Sequence, residues 1–289
     1  MGKFLKITGG ILKYLLVYVL IQFLCGVVLQ ISALSNNYGD ASIYEIQLSV
    51  AKKIIYSLTF SSIITLLAYI FMFRKKETSL WQRCNMSIKV KGKNYILIMI
   101  LAVTFALFTS SVITLFKDSI PSLSSVPEEF ANDIATGISM GYSPSIFTMI
   151  VIFLTVLILG PVLEEVLFRG LIFNELKNND ANIIASIIIQ AALFSIAHFN
   201  ISQSSYTLIL GVFLALVYLW TKSLKSAIAL HIGFNISGML ISPFVVAFAE
   251  KYTIFIAILS FIMVCISLMM LYKNRIKEET NSVLNVENF

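Results

Sequence analysis

Eight stretches of the chain are nearly free of polar side chains: 12–34, 54–73, 95–116, 145–173, 182–199, 206–220, 226–249 and 252–272. A helix needs about 20 mostly apolar residues to cross the hydrocarbon core of a bilayer. Most of these runs reach that length, although the sixth is short and the fourth is long for one straight crossing. The strict alternation of a lipid-facing strand is absent, so a β-barrel is not supported. The pattern predicts an all-α, polytopic membrane helix bundle of about eight transmembrane helices. No internal repeat or low-complexity segment breaks the series. Residues 1–289 therefore read as one integral membrane domain, with N-terminal helices over 1–116 and a motif-bearing core over 145–242.

Composition narrows the class further. Hydrophobic residues make up 58% of the 289 residues and charged residues 12%; mean hydropathy is +0.89. A soluble domain carries about 45–50% apolar and about 25% charged residues. A soluble enzyme, a disordered chain and a fibrous protein are thereby excluded. The net charge of +6 would suggest nucleic acid in a soluble chain. Here its distribution points to topology. With the N-terminus inside, 15 of the 21 Lys and Arg fall in inside loops and 4 in outside loops, while Lys13 and Arg169 lie within runs. Positively charged loops stay cytoplasmic, so both termini are expected in the cytoplasm and no nucleic-acid partner is expected.

The start, Met1 to Lys6, resembles the basic region of a signal peptide. The apolar run behind it is longer than the roughly 7–15 residues of a cleaved signal, so it reads as an uncleaved first span. Lys6 occupies the position where myristoylation requires Ser or Thr. Cys25, Cys84 and Cys265 are odd in number and form no CxxC, which points to unpaired thiols and not to a disulfide framework or zinc knuckle. The loop 117–144 carries Asp118, Glu128, Glu129, Asp133 and three prolines. It is expected outside, with one short helix near 127–138. The basic loop 74–93, with Trp81, is expected to lie on anionic headgroups.

Ionisable groups inside a span are costly and point to function by default. Lys13 is near enough to its helix end to snorkel. The others concentrate between 160 and 235, where both histidines of the chain also lie. Glu165 and Arg169 stand four apart on one helix face, within pairing reach, and pairing removes much of the cost of burying both. Glu164 points about 100° away and needs another partner, such as a His, a metal or water. In an apolar cavity its pKa would rise, which suits a general base. The plainer reading is a packing ion pair with Glu164 facing an aqueous loop. Phe194 and His198 are four apart, as are His231 and Asn235. Each imidazole alone reads as a hydrogen-bonded core group as readily as a ligand, and Asn235 as interhelical glue. Taken together, a carboxylate, two imidazoles and an amide on three helices make a catalytic or metal site in a bundle core, with water or a metal as occupant. Counted from the inner helix ends, Glu164 lies about 16 Å deep, His231 about 9 Å and His198 about 24 Å. These depths meet if helices four and five protrude inward or if Pro161, which frees a carbonyl and bends its helix, kinks helix four.

The ordered set EExxxR (Glu164, Glu165, Arg169), FxxxH (Phe194, His198) and HxxxN (His231, Asn235) resembles the CAAX protease and bacteriocin-processing family of intramembrane endopeptidases, also called Abi or type II CAAX prenyl endopeptidase-like. The Phe-Arg-Gly after the paired glutamates looks similar too. The resemblance covers about 145–242. It implies an enzyme that hydrolyses a peptide bond in a membrane-associated protein or peptide, in CAAX-type processing or in bacteriocin maturation and self-immunity, at a bacterial plasma membrane. It implies Glu164 as the group that activates water and His198, His231 and Asn235 as lining of the same cavity. Glu165 and Arg169 would hold the helix, and Phe194 would pack beside them. Zn2+ is one version, with His198, His231 and Glu164 as the three protein ligands of a catalytic site; Glu164 is then hard to use as base. In the zinc-free version Glu164 is the base, the histidines orient water and Asn235 stabilises the oxyanion. Nothing in the sequence requires a prenyl group, and oligomeric state stays open. Two other readings stand beside this one. A proton-coupled transporter would also bury Glu and His, but inverted repeats are absent. A non-catalytic immunity or scaffold protein would keep the fold and not the chemistry.

Overall fold

The computed structural model describes residues 2–35, 43–120, 145–198 and 200–276, and among these it contains helices and no strands. In chain order the helices are α1 (Gly2–Ser35), α2 (Ile43–Phe73), the short α3 (Leu80–Arg83), α4 (Gly92–Phe116), α5 (Ile146–Asn178), α6 (Ile183–Ile196), α7 (Ile201–Thr221), α8 (Leu224–Phe248) and α9 (Thr253–Lys273). Seven helical stretches are long and apolar enough to cross a membrane; α6 is the shorter apolar helix. The protein is an integral, multi-pass membrane protein. The helix expected near 127–138 lies outside the described residues, as does most of its loop.

The short helix falls on the fifth apolar run, 182–199, not on the sixth, 206–220. α6 has 14 residues, about 21 Å of rise. It is capped at its start by Asn182, whose Oδ1 accepts from the N–H groups of Ile184 and Ala185. α7 is longer than its apolar run because the polar stretch 202–205 continues the helix. Asn200 caps it by accepting from Gln203 N–H. Ser195 and Ser204 exchange hydroxyl-to-carbonyl bonds of 2.8 and 2.9 Å across the α6–α7 hairpin. Such hydroxyls add no unsatisfied polar group to the bundle, so the hydropathy minimum does not end the helix. The two helices touch closely at Gly211, where an added Cβ would stand 3.0 Å from the Ala191 Cα.

Contacts between loops fix the alternation of crossings. Ser223 Oγ donates to Ile88 O, Lys93 Nζ to Asn274 Oδ1, Ile276 N–H to Trp220 O, and Asn174 Nδ2 to Arg83 O. The connections after α2, α5, α7 and α9 therefore share one end, and α6 must return the chain to the other end. Among the described residues seven long helices and one short one thus run between the two ends of the bundle. The basic loops gather at that shared end.

Lipid-facing surface is apolar, with Leu12, Leu16, Phe23, Phe147, Ile184 and Phe255 exposed, as the absence of water in the bilayer requires. The buried core joins α4, α5, α7, α8 and α9. Phe105 of α4 lies edge-on to Phe213, 4.9 Å away, and 5.3 Å from Phe234. α1 packs on α2 at the periphery, where Tyr69 donates to Tyr14 O and Ser61 to Gln22 Oε1.

The basic loop expected to lie flat on headgroups folds inward in part. Ser79 and Gln82 form a reciprocal cap for α3, which turns Leu80 and Cys84 into the core. Arg83 reaches Glu175 at 2.5 Å, and Tyr14 donates to the same carboxylate at 3.3 Å. Asn174 and Asn85 both donate to Tyr218 Oη. Burial pushes the Cys84 thiol up to about 12, the neighbouring Arg83 charge opposing. Cys84 sits where a Cβ on Gly170 would collide with its Sγ, so glycine at 170 is what lets α3 dock on α5.

Candidate active site

α5 is widened beside Pro161. Gly160 N–H bonds to Thr155 O, five residues back, and a second wide stretch runs from Val166 to Phe173. Single wide turns of this kind occur often at functional sites. Continuing the register past Gly160 would have residue 161 donate to Val156 O, but proline has no N–H. Asn235 of α8 supplies the missing donor: its Nδ2 lies 3.2 Å from Val156 O.

The six residues between the wide turns and the turn after them carry the charges. Glu165 and Arg169 are fully buried, and Arg169 Nη1 donates to Glu165 Oε1 at 2.8 Å. Arg169 Nη2 donates to Gly211 O at 3.1 Å, and the guanidinium carbon stands 4.5 Å from the centre of the Phe194 ring. A planar guanidinium can fork to two acceptors and stack on an aromatic face at once.

Glu165 also holds His231. Nδ1 of His231 is 2.9 Å from the same Oε1. A carboxylate only accepts, so this nitrogen carries the proton and Nε2 is the working atom of the ring. Nε2 points toward Glu164, 3.7 Å from its Oε2. The Glu164 side chain keeps 25% of its surface exposed, whereas that of His231 keeps 4%. The pair therefore sits where a buried cluster opens. A carboxylate that orients an imidazole, whose other nitrogen faces the reacting group, is a recurring way to fix tautomer and raise basicity.

His198 is placed differently. Its Nδ1 lies 2.8 Å from Phe194 O of its own helix; the carbonyl accepts, so Nε2 is again unprotonated in the neutral ring. Phe194 meets both imidazoles edge-on, with centroids 4.9 Å from His198 and 5.6 Å from His231. It also meets Phe168 at 5.2 Å. Beyond packing, Phe194 is the hub joining the two histidines and Arg169.

Glu164, Glu165, Arg169 and His231 thus form one contiguous cluster. His198 joins it through Phe194, and Asn235 stands one turn past His231 on a backbone carbonyl. Of the expected zinc ligands His198, His231 and Glu164, the last two stand 3.7 Å apart; among the described residues no group of three His, Cys, Asp or Glu side chains is arranged to hold a metal ion. Glu164 faces the free nitrogen of His231, whereas Glu165 Oε1 already serves two donors.

Three groups carry the cluster without having stood out in the sequence. Gln190 donates to Gly211 O at 3.0 Å, sharing that acceptor with Arg169. Its signal was available, an amide four residues before Phe194 and eight before His198 in an apolar run. Tyr18 of α1, in the part of the chain without a recognised motif, lies near enough to Glu164 to feel its charge. The Gly211 carbonyl has no side-chain signal at all. On the outer flank of α5, Thr59 shares a 2.7 Å hydrogen bond with Thr155 and Tyr56 one of 2.9 Å with Thr148, which anchors the widened segment to α2.

Residues 146–237 match the family model described as Type II CAAX prenyl endopeptidase Rce1-like. A 94-residue stretch is 36% identical to the membrane-embedded CAAX protease MroQ of Staphylococcus aureus (strain USA300), over 30% of this chain and 38% of that protein. The similarity therefore spans well under half the length of that relative. No solved structure matches the chain. The matched segment contains every residue of the cluster from Glu164 to Asn235, and over that segment the chain is similar to the CAAX proteases.

Proposed function

We propose that the protein is an intramembrane endopeptidase, acting in a bacterial plasma membrane on a membrane-associated protein or peptide. The observation that carries this reading is the Glu164–His231–Glu165 arrangement, with 3.7 Å between Glu164 Oε2 and His231 Nε2 and 2.9 Å between His231 Nδ1 and Glu165 Oε1. That spacing leaves Glu164 and His231 able to share one water through a small adjustment. Glu164 takes a proton from that water as its oxygen attacks the scissile carbonyl carbon. The same proton then passes from Glu164 to the departing amine, so the carboxylate ends the cycle as it began. His231, held by Glu165, orients the water. The second N–H of the Asn235 amide and the His198 ring are the polar groups available to the developing oxyanion, whose stabilisation is commonly the largest single effect in acyl transfer. These steps use the chain's own residues alone. The basic end of the bundle faces the cytoplasm on the positive-inside rule.

The test is cleavage of membrane-proximal peptides, prenylated and not, by purified wild type and Glu164→Gln in detergent. The variant keeps size and polarity and removes the base, so cleavage should fall at least about 100-fold, the lower range for a general base. Equal rates in the two proteins would sink the mechanism. Cleavage should survive dialysis against a chelator; loss restored by zinc would return the metal version to first place.

A further inference from the structure

Gln190 stands in an apolar run of α6, four residues before Phe194 and eight before His198. Residues at this spacing share one face of a helix. Gln190 is fully buried. Both N–H groups of its amide are committed: Nε2 donates to Ile187 O of its own helix at 2.9 Å and to Gly211 O of α7 at 3.0 Å. The first bond holds the side chain to α6, and the second holds α6 to α7. Small residues beside it let the two helices come this close; a Cβ on Gly211 would stand 3.0 Å from the Ala191 Cα and 3.3 Å from Cδ1 of Phe194.

These bonds close a ring of contacts through three helices. Arg169 of α5 donates to the same Gly211 O at 3.1 Å. Its guanidinium carbon stands 4.5 Å from the centre of the Phe194 ring, on α6 one turn beyond Gln190. Phe194 in turn meets His198 and His231 edge-on. The bonds between Ser195 and Ser204 join α6 and α7 to each other, whereas Gly211 O joins both to the charged helix. Interhelical hydrogen bonds contribute little net stability within a bilayer, and a leucine or methionine at 190 would pack in this run without burying an amide. What only the amide supplies is direction: it fixes the rotation of α6 against the acceptor that also holds Arg169.

We infer that Gln190 is a positioning residue for the hydrolysis, setting the rotation of α6 so that Phe194 and His198 stand where the Glu164–His231 pair needs them. The consequence for cleavage rests on the protease reading; the geometry does not. The hydrogen bonds of Gln190 go to two backbone carbonyls, so it acts through Phe194 and His198. Misplacing a group at a reacting centre by about 1 Å can cost about 100-fold in rate. His198 is one of the groups available to the developing oxyanion. Its displacement should therefore lower kcat and leave KM, the signature of an interaction made only in the transition state.

Gln190→Met keeps the length of the side chain and forfeits the two N–H bonds; Oε1 has no hydrogen-bond partner among the described residues, so no other bond goes with them. In the full chain purified in detergent, the unfolding midpoint should stay close to that of wild type while kcat falls about 10- to 100-fold at unchanged KM. In a His198→Ala background the same substitution should add little, because its effect passes through that ring. The two histidines of the chain give a readout that needs no cleavage. Phe194 stands edge-on to both rings, so the ring signals of 13C-labelled histidine report its placement. The His198 signal, identified by its loss in His198→Ala, should move in Gln190→Met. A wild-type kcat or unmoved histidine signals overturns the inference. So does a loss of kcat that multiplies with that of His198→Ala, or one that follows a lowered midpoint and vanishes on cooling. Glu164→Gln, assayed alongside, separates the two readings. Its cleaving at the wild-type rate removes the protease mechanism, whereas an inactive Glu164→Gln beside a fully active Gln190→Met removes only the positioning role.

Discussion

Pro161 and Asn235 lie 74 positions apart in the chain, yet the structure makes them one device. Pro161 withholds the N–H that the wide turn would aim at Val156 O, and Asn235 Nδ2 fills the gap at 3.2 Å. Asn235→Ala removes that donor. A carbonyl orphaned away from water costs about 1–3 kcal/mol, and interhelical hydrogen bonds in membranes run from about 0.6 to 1.7 kcal/mol. The overlap, about 1–2 kcal/mol, is the expected loss. Pro161→Ala restores an N–H that can reach Val156 O within α5. The substitutions should therefore be strongly non-additive, with a coupling of about 1 kcal/mol or more, well outside the roughly 0.3–0.5 kcal/mol scatter of independent sites. Equilibrium unfolding of the four proteins in mixed micelles, titrated with sodium dodecyl sulfate, measures the cycle. Additive losses would refute the shared-carbonyl argument. Cleavage measured on the same proteins separates two roles of the amide. If Asn235 also donates to substrate, the double variant regains stability and stays inactive.

Three further outcomes are expected. Arg169→Lys keeps the charge but cannot bond Glu165 and Gly211 O together while lying on Phe194; losing one hydrogen bond to a buried ion should destabilise the protein by about 1.5–3 kcal/mol, read by the same titration, and an unchanged midpoint would contradict the geometry. Gly170→Ala should lower the unfolding midpoint markedly because its Cβ meets Cys84 Sγ, and Cys84→Ala should restore it; a midpoint that stays low in the double variant would place the strain elsewhere. The Cys84 thiol has its pKa raised from 9.0 to about 12 by burial. The folded protein therefore binds this proton more tightly than the unfolded chain, and the stability it contributes is fully present below 9.0 and is lost as pH rises toward about 12. Cys84→Ala should flatten that alkaline decline, and maleimide at neutral pH should label Cys84 only on unfolding.

Much of the architecture was legible because a bilayer leaves few solutions. Long apolar runs become helices whatever their detailed composition, since every backbone group must be satisfied internally. What misled was local. The stretch 202–205 looks like an end of a span, but serine hydroxyls can bond to nearby carbonyls, so it continues α7. The stretch 74–93 looks like a surface loop because its charges dominate; the docking of Leu80 and Cys84 depends on an absent side chain at Gly170, a signal that carries no hydrophobicity. Pro161 announced a disturbance in α5, but the widened turn beside it and the donor that Asn235 brings from α8 are not encoded in that residue. The same division holds at the site. Glu165 with Arg169 could be read from a spacing of four within one helix. The bond from His231 to Glu165 joins α8 to α5, and no periodicity within either segment encodes it.

That interhelical bond changes what the second glutamate does. On spacing alone Glu165 balances Arg169 and leaves Glu164 as an isolated anion. With His231 on the same oxygen, charge counting runs differently. Glu165 and Arg169 cancel, the Nδ1 proton of His231 is committed to Glu165, and the cluster is neutral when one further proton rests on either Glu164 or His231 Nε2. These two atoms are 3.7 Å apart, and their side chains meet the opening to the exterior of the cluster. A low-dielectric bundle penalises uncompensated charge. Hydrolysis of a peptide bond needs one proton taken from water and returned to an amine. On the proposed mechanism the buried ion pair behind the site does more than hold the helix: with Glu165 and Arg169 paired, it leaves Glu164 and His231 as the two groups that handle the proton.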